Sequence, residues 1–166
     1  MIDADDGMTD IVAAGYDVGI RFHASVHRDM IAVRIGPELR SAIVAAPGYL
    51  KGRATPTAPR DLAEHRCVVH RRLDGSDYPW PLRQNGRIRQ VRPNGAIAFN
   101  DSDLVLAAAV ACKGIACVFE DRAAPLVEAG KLSAFSTTGA LPPGPATRFT
   151  IPTAICRRRC RASWTP

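Results

Sequence analysis

A short polar segment, Asn100-Asp101-Ser102-Asp103, lies between an apolar run and a stretch rich in alanine and leucine. This order predicts that a strand ends and a helix begins here, which places polar side chains beside the free backbone N–H groups of a helix start. Helix starts attract anions and polar ligands, and open α/β sheets bind ligands beyond the C-terminal ends of their strands. Asn100, Asp101 and Ser102 are therefore candidate ligand contacts. A simpler role, in which Asp101 or Ser102 only caps the helix, stays open.

Three more side chains are candidates for the same kind of site. Phe119 and Glu120 end the next predicted strand and would open on the same side, although a solvated loop would explain them equally well. Arg21 ends an early predicted strand and could pair with an acidic ligand, or it could be an ordinary surface arginine. We predict a binding site with no catalytic residue, no metal and no cofactor.

Metal and enzyme sites are weakly supported by the sequence. His23 and His27 are four residues apart, but their segment indicates a loop without a nearby third ligand, so we interpret them as surface histidines. Ser41, His65, His70 and Ser133 could suggest a hydrolase. The chain lacks the Gly-x-Ser-x-Gly motif, a phosphate-binding glycine loop and a metal signature, so we predict that it is not an enzyme.

The elements that must position the candidate residues alternate between strand and helix. We predict strands at 96–99, 115–119 and 132–136, and helices at 102–112 and 121–129. This order is typical of a doubly wound α/β sheet with parallel pairing. The first helix is apolar on nearly all sides and is predicted to be largely buried, with Gly114 at its C-terminal end.

Asn85-Gly86 separates predicted strands at 79–84 and 87–91. An Asn-Gly pair between two such runs favours a type I′ hairpin turn, because both turn residues need a positive φ. Earlier in the chain, the pattern predicts short strands near 18–21, 31–35, 39–45 and 67–70. It also predicts a helical turn at 47–51.

Composition indicates a globular chain of one domain or two small lobes. The 166 residues are 46% hydrophobic and 23% charged, and no apolar run approaches the roughly 18 residues that a membrane span needs. The N-terminus is acidic and has no signal-peptide core, so we expect a cytoplasmic protein with no membrane partner. The five cysteines form no Cys-x-x-Cys pair, which favours reduced, mostly buried thiols.

An ordered set of short motifs from residue 10 to residue 136 resembles the effector-binding domain of LysR-type transcriptional regulators. Each motif is weak alone, but the set in this order is specific. Its members are Asp10–Arg21, Arg34–Pro37, Ala46–Leu50, Thr57–Leu62, His65–Cys67, Asn100–Leu104, Gly114–Ala116 and Gly130–Leu132.

The resemblance implies a two-lobe α/β fold like that of periplasmic binding proteins. Residues 1–40 would be the remnant of an incomplete lobe I. Residues 41–136 would form a doubly wound lobe II, with strands crossing between the lobes at 41–45 and 132–136. The candidate residues would then face the cleft between the lobes.

The resemblance also implies a function. The chain would be the small-molecule sensor of a DNA-binding regulator that lacks its N-terminal winged helix-turn-helix. DNA would be bound only through that missing domain, and the full-length parent would be a homo-oligomer. The alternative is a stand-alone small-molecule binding module with no role in DNA binding.

Residues 137–166 depart from the family pattern. Four arginines of this tail account for much of the net charge of +6, which falls to +2 without them. Divergence of a surface tail and a shifted reading frame both explain the departure. In the shifted frame Trp164-Thr165 must encode Asp, and the family's Pro-Pro and Phe-Val-Asp can be placed at the right spacing. We therefore favour a frameshift near residue 147, which would leave the basic tail without function.

Overall fold

The computed structural model describes residues 10, 13–22, 30–34, 39–84, 87–135, 147–150 and 152–157. The chain divides into two compact units. The first comprises Met1–Leu39 with Phe149–Pro166, and the second comprises Arg40–Arg148.

Up to residue 135 the described elements follow the predicted order closely, whereas the two strands of the tail were not predicted. The strands are β1 (Val18–Phe22), β2 (Met30–Arg34), β3 (Leu39–Ala45), β4 (Cys67–His70), β5 (Trp80–Gln84), β6 (Arg87–Val91), β7 (Gly95–Phe99), β8 (Ile115–Phe119), β9 (Ser133–Phe135), β10 (Thr147–Thr150) and β11 (Pro152–Arg157). The helices are α1 (Pro47–Leu50), α2 (Ser102–Val110) and α3 (Glu120–Glu128), with a 3-10 helix at Pro59–Glu64.

The first unit contains a three-stranded antiparallel sheet with β11 in the centre. Ile155 of β11 lies opposite Gly19 of β1 and Ala32 of β2. Val18 and Ile20 of β1 remain 51% and 66% exposed. The tail therefore supplies the central strand of this sheet, and its reading frame stays a prediction that the nucleotide sequence tests.

The second unit is built on a six-stranded sheet in the order β10-β3-β8-β4-β7, with β9 also paired to β3. β7 and β8 both run parallel to β4, one on each side of it. β3 runs antiparallel to β8 and to β9. The three strands that were predicted to be parallel, β7, β8 and β9, do run in the same direction. They are not neighbours in the sheet, because β4 lies between β7 and β8 and β3 lies between β8 and β9.

Alternating side chains of β3, β4 and β8 fill two cores, one on each face of this sheet. On one face Ile43, Cys67 and Ile115 pack with side chains from α1, the 3-10 helix and β5. On the other face Val44, Val68 and Ala116 pack with α2 and α3. Strands buried on both faces are expected in a parallel α/β sheet.

The hairpin β5–β6 lies over the first of these cores. Trp80 and Leu82 are 2% and 3% exposed, and Val91 packs against the same cluster. Both predicted strands are confirmed. The turn residues Asn85 and Gly86 lie outside the described residues, so the type of turn stays a prediction.

α2 is buried along one stripe only, which corrects the prediction of a largely buried helix. Val105, Ala108 and Ala109 face the core, whereas Leu104 is 50% exposed and Ala107 and Ala111 are exposed. A nine-residue helix on the outside of a sheet buries the positions that repeat every three to four residues, whatever the hydrophobicity of the rest.

The predicted role of Gly114 as the helix cap is also wrong. α2 ends in a Schellman motif in which Cys112 adopts φ 59, with Cys112 N donating to Ala109 O and Lys113 N donating to Ala108 O. Gly114 is needed for a different reason. A Cβ there would lie 2.4 Å from the carbonyl oxygen of Arg66, which accepts a hydrogen bond from Ile115 N.

Candidate functional site

The ends of several strands of the second unit meet at one edge of its sheet. β4, β7 and β8 are parallel, so their C-terminal residues His70, Phe99 and Phe119 share this edge. The antiparallel β3 starts there, because Ser41 is the register partner of Phe119. Since α2 follows β7 and α3 follows β8, the N-termini of both helices lie at the same edge. We call it the strand-end edge.

Asp101 caps α2. Its Oδ1 atom accepts hydrogen bonds from Asp103 N at 2.8 Å and from Leu104 N at 2.9 Å. The predicted cap is thus confirmed and assigned to Asp101, while Ser102 is the first residue of the helix. Asn100 and Ser102 are both exposed beside this cap. Their side chains can reach a ligand without giving up the capping interaction.

Ion pairs connect the start of α3 to its neighbours. The guanidinium group of Arg122 donates to the Asp103 carboxylate and so joins the first turn of α3 to the first turn of α2. Glu120, the first residue of α3, lies 4.0 Å from the Arg40 guanidinium of β3. Both pairs are largely exposed, so we assign them a positioning role and little stability.

Beneath this edge lies a half-buried thiol, Cys117. Burial raises its pKa to about 12, and a hydrogen bond with Ser41 acts in the opposite direction. The thiol is therefore neutral near pH 7 and behaves as a small apolar group with one polar contact. We therefore expect the Cys117 thiol to line the base of a binding site and not to act as a nucleophile.

Sequence reasoning considered His70 only as a possible hydrolase residue and did not connect it, or the loop that follows it, to this site. The ring of His70 lies 6.2 Å from the ring of Tyr78, edge to face, and Tyr78 N donates to His70 O. In the same loop Arg71 N donates to Phe99 O, and the Arg71 guanidinium bonds to Asp77 at 2.9 Å. These contacts hold the loop against the end of β7. Only the strand order, with β4 between β7 and β8, brings His70 to the candidate residues.

The profile of the LysR substrate binding domain matches residues 2–160, which is nearly the whole chain. The chain belongs to the LysR substrate-binding domain family. A putative transcriptional regulator of Pseudomonas aeruginosa is 41% identical over 131 residues, and the regulator PgrR of Escherichia coli is 34% identical over 129 residues. These matches cover 78% and 77% of the chain but 43% of each relative. The chain thus spans less than half the length of these relatives.

Solved structures agree with the LysR-type fold. The regulatory domain of AphB from Vibrio vulnificus superposes with a TM-score of 0.73 at 18% identity, covering 95% of this chain and 74% of that one. The regulatory domain of CrgA from Neisseria meningitidis gives a TM-score of 0.70 at 19% identity, covering 96% and 74%. The periplasmic-binding-protein-like α/β fold implied by the sequence resemblance is therefore confirmed.

Within this LysR-type domain the candidate residues fall into two groups. Asn100, Asp101, Ser102, Phe119 and Glu120 come together at the strand-end edge of the second unit. Arg21 lies in β1 of the first unit, and its part in a site stays a prediction. His23 and His27 lie outside the described residues. Within the described ranges no three His, Cys, Asp or Glu side chains cluster as metal ligands, and no helix there is long and apolar enough to cross a membrane.

Proposed function

We propose that the chain is the effector-sensing part of a LysR-type transcriptional regulator and that the effector contacts the strand-end edge. The observation that carries this proposal is the convergence of two helix N-termini and three parallel strand ends at one edge of the sheet. Such an edge offers backbone N–H groups and side chains to a polar ligand. Membership of the LysR substrate-binding domain family supports the same reading.

The polar groups at this edge indicate what an effector would meet there. Asn100 and Ser102 offer an amide and a hydroxyl, both exposed, while Phe119 is half-buried and offers an aromatic surface. Arg40 and Glu120 add one charge of each sign. We propose a small molecule that combines hydrogen-bonding groups with an apolar portion.

The whole regulator is also part of this proposal. It would act in the bacterial cytoplasm, bind DNA through a winged helix-turn-helix encoded upstream, and assemble as a homo-oligomer. The exposed apolar stripe formed by Leu104 and Ala107 of α2 and by its C-cap residue Ala111 is compatible with subunit contact. A winged helix-turn-helix encoded immediately before Met1 would separate this proposal from a stand-alone binding module.

A thermal-shift screen tests the sensing role. The panel would contain organic acids, amino acids, sugars and aromatic acids, each added to the purified chain. A ligand at one hundred times its Kd adds about 2.7 kcal/mol of stability, which raises the melting temperature by roughly 5–11 °C for a chain of this size. Binding of each compound found is then measured by titration calorimetry.

Two variants locate the ligand. Asn100→Ala and Ser102→Ala remove exposed side chains at the edge without touching the Asp101 cap, so we expect each to weaken binding about tenfold, the loss of one hydrogen bond. Glu128→Gln, at the far end of α3, is the matched control and should bind as the original does. A panel that gives no shift, or a compound that binds both variants normally, would contradict the proposal.

A further inference from the structure

The segments that follow the parallel strands of the second unit leave the strand-end edge toward opposite faces of the sheet. After β4 the chain enters the β4–β5 loop, residues 71–79, and then packs on the face that holds Trp80 and Leu82. After β7 and β8 it turns to the face covered by α2 and α3. Since β4 lies between β7 and β8, the change of side occurs at the end of β4. Connections that diverge in this way leave a crevice above the strand ends, where open α/β sheets bind ligands.

The β4–β5 loop borders this crevice and is bonded to the strand ends. Arg71 N donates to Phe99 O at 2.7 Å, and Tyr78 N donates to His70 O at 2.7 Å. The register of the sheet pairs His70 with Phe99, so the loop leaves the edge beside Asn100. The loop is therefore fixed relative to the strand ends and starts next to one of the candidate ligand contacts.

Within this loop Arg72 is held in place by an aromatic ring. Its guanidinium lies over the Tyr78 ring, 4.5 Å from the ring centroid, and the same ring meets His70 edge to face at 6.2 Å. In the part of the chain that the structure describes, this guanidinium forms no ion pair and no hydrogen bond. Stacking on a ring restricts a guanidinium and leaves the N–H groups in its plane able to donate.

The carboxylates near this arginine already have partners. Asp77 pairs with the Arg71 guanidinium at 2.9 Å, and Asp74 accepts a hydrogen bond from Ser76 N at 2.8 Å. The two carboxylates at the start of α2 are engaged in its cap and in the ion pair with α3. An acid group of a ligand would therefore meet Arg72 without displacing any of these interactions.

We propose that Arg72 is a specificity-determining residue of the effector site and that the effector carries an acid group, such as a carboxylate, which this guanidinium binds. This assignment rests on the proposed function for the place of the site and adds the chemical class of its ligand. A planar guanidinium suits the task, because it pairs with both oxygens of a carboxylate through two parallel hydrogen bonds. Tyr78 is a positioning residue, since its ring holds the guanidinium at the crevice.

Two probes that differ in charge but hardly in shape test this assignment. 4-Fluorobenzoate and its neutral amide, 4-fluorobenzamide, are each titrated with the purified chain, and fluorine NMR follows even weak binding. We expect the acid to bind at least about tenfold more tightly than the amide, which is the contribution of one charge-assisted hydrogen bond. Arg72→Gln should abolish this preference. Arg72→Lys should keep part of it, because an ammonium group retains the charge but lacks the planar fork.

Arg66→Gln is the matched control for the change of charge. Arg66 is an exposed arginine that precedes β4, so it lies at the opposite edge of the sheet, and its replacement should leave the preference for the acid unchanged. Tyr78→Leu, which removes the ring, should reduce the preference severalfold, whereas Tyr78→Phe should keep it. Melting temperatures of all variants are measured as well. If Arg72→Gln is less stable but has the same acid-to-amide ratio, the stack only supports the loop and the assignment is wrong.

Compounds from the thermal-shift screen separate this assignment from the proposed function. If a compound weakened by Asn100→Ala has no acid group, or binds Arg72→Gln normally, the proposed function stands and the role of Arg72 is refuted. If the acid preference depends on Arg72 but no compound is weakened by Asn100→Ala or Ser102→Ala, the anion contact is supported and the proposed effector site is contradicted.

Discussion

Replacing Gly114 with alanine tests how closely β8 is packed against the residue that precedes β4. The added Cβ would lie 2.4 Å from Arg66 O and 3.0 Å from Arg66 C. A carbon-to-oxygen contact needs about 3.3 Å, so the two backbones must separate by roughly 0.9 Å. That movement stretches the 2.9 Å hydrogen bond from Ile115 N to Arg66 O beyond its useful length. Overpacking and loss of a buried hydrogen bond together cost about 3 kcal/mol.

Chemical and thermal unfolding measure this loss. A change of 3 kcal/mol lowers the melting temperature by roughly 6–12 °C for a chain of this size. Gly130→Ala is the control, because a Cβ there meets no atom within 4 Å and strain arises only from the backbone φ of +68°. We expect the free energy of unfolding of that variant to fall by about 1 kcal/mol. A Gly114→Ala variant with the same melting temperature as the original protein, or a Gly130→Ala variant less stable than Gly114→Ala, would contradict this close packing.

Three further predictions concern single side chains. Asp101→Ala should lower the free energy of unfolding by about 1 kcal/mol through loss of the helix cap, whereas Asp101→Ser should recover most of it; equal stability of the two variants would contradict the capping role. With the two tail cysteines replaced by serine, Ellman's reagent at pH 8 should label exposed Cys112 quickly. Buried Cys67 should react only on unfolding and half-buried Cys117 only slowly, because burial raises their pKa values to about 11 and 12. The pKa of Asp61 is lowered, mainly by hydrogen bonds from two backbone N–H groups of the preceding loop. Its stabilising effect is thus present above the ordinary aspartate pKa and disappears as the pH falls through the lowered value, so the melting-temperature difference from Asp61→Asn should shrink over that range.

Local patterns predicted the elements of this chain well. The strands flanking Asn85-Gly86 and the start of α2 at Asp101 follow from turn and capping chemistry within a few residues. The end of α2 did not follow from such local patterns, because Cys112 adopts the left-handed conformation that glycine usually adopts at a helix end. Gly114 was therefore wrongly predicted to end the helix. Glycine is needed there because the backbone passes close to Arg66, which is far away in the sequence.

The candidate site was predicted only in part for a similar reason. Asn100 directly follows β7 and Phe119 ends β8, so each strand end could be recognised by itself. His70, Arg40 and Ser41 join them only because β4 lies between β7 and β8 and because β3 starts at the same edge. Hydrophobic periodicity shows that a strand is buried but not which strand becomes its neighbour. Long-range pairing therefore decided the composition of the site.

The position of β3 in the sheet has a consequence for synthesis of the chain on the ribosome. Ile43 and Val44 pair with β8 on one side and with β9 on the other, and both partners are made much later. At about 5–20 residues per second, translation from Ala45 to the end of β8 takes roughly 4–15 s. During that interval β3 is an apolar strand with two open edges, which is the kind of segment that pairs with other nascent chains. Expression at lower temperature or with a chaperone that shields extended apolar segments should accordingly improve the yield of folded protein.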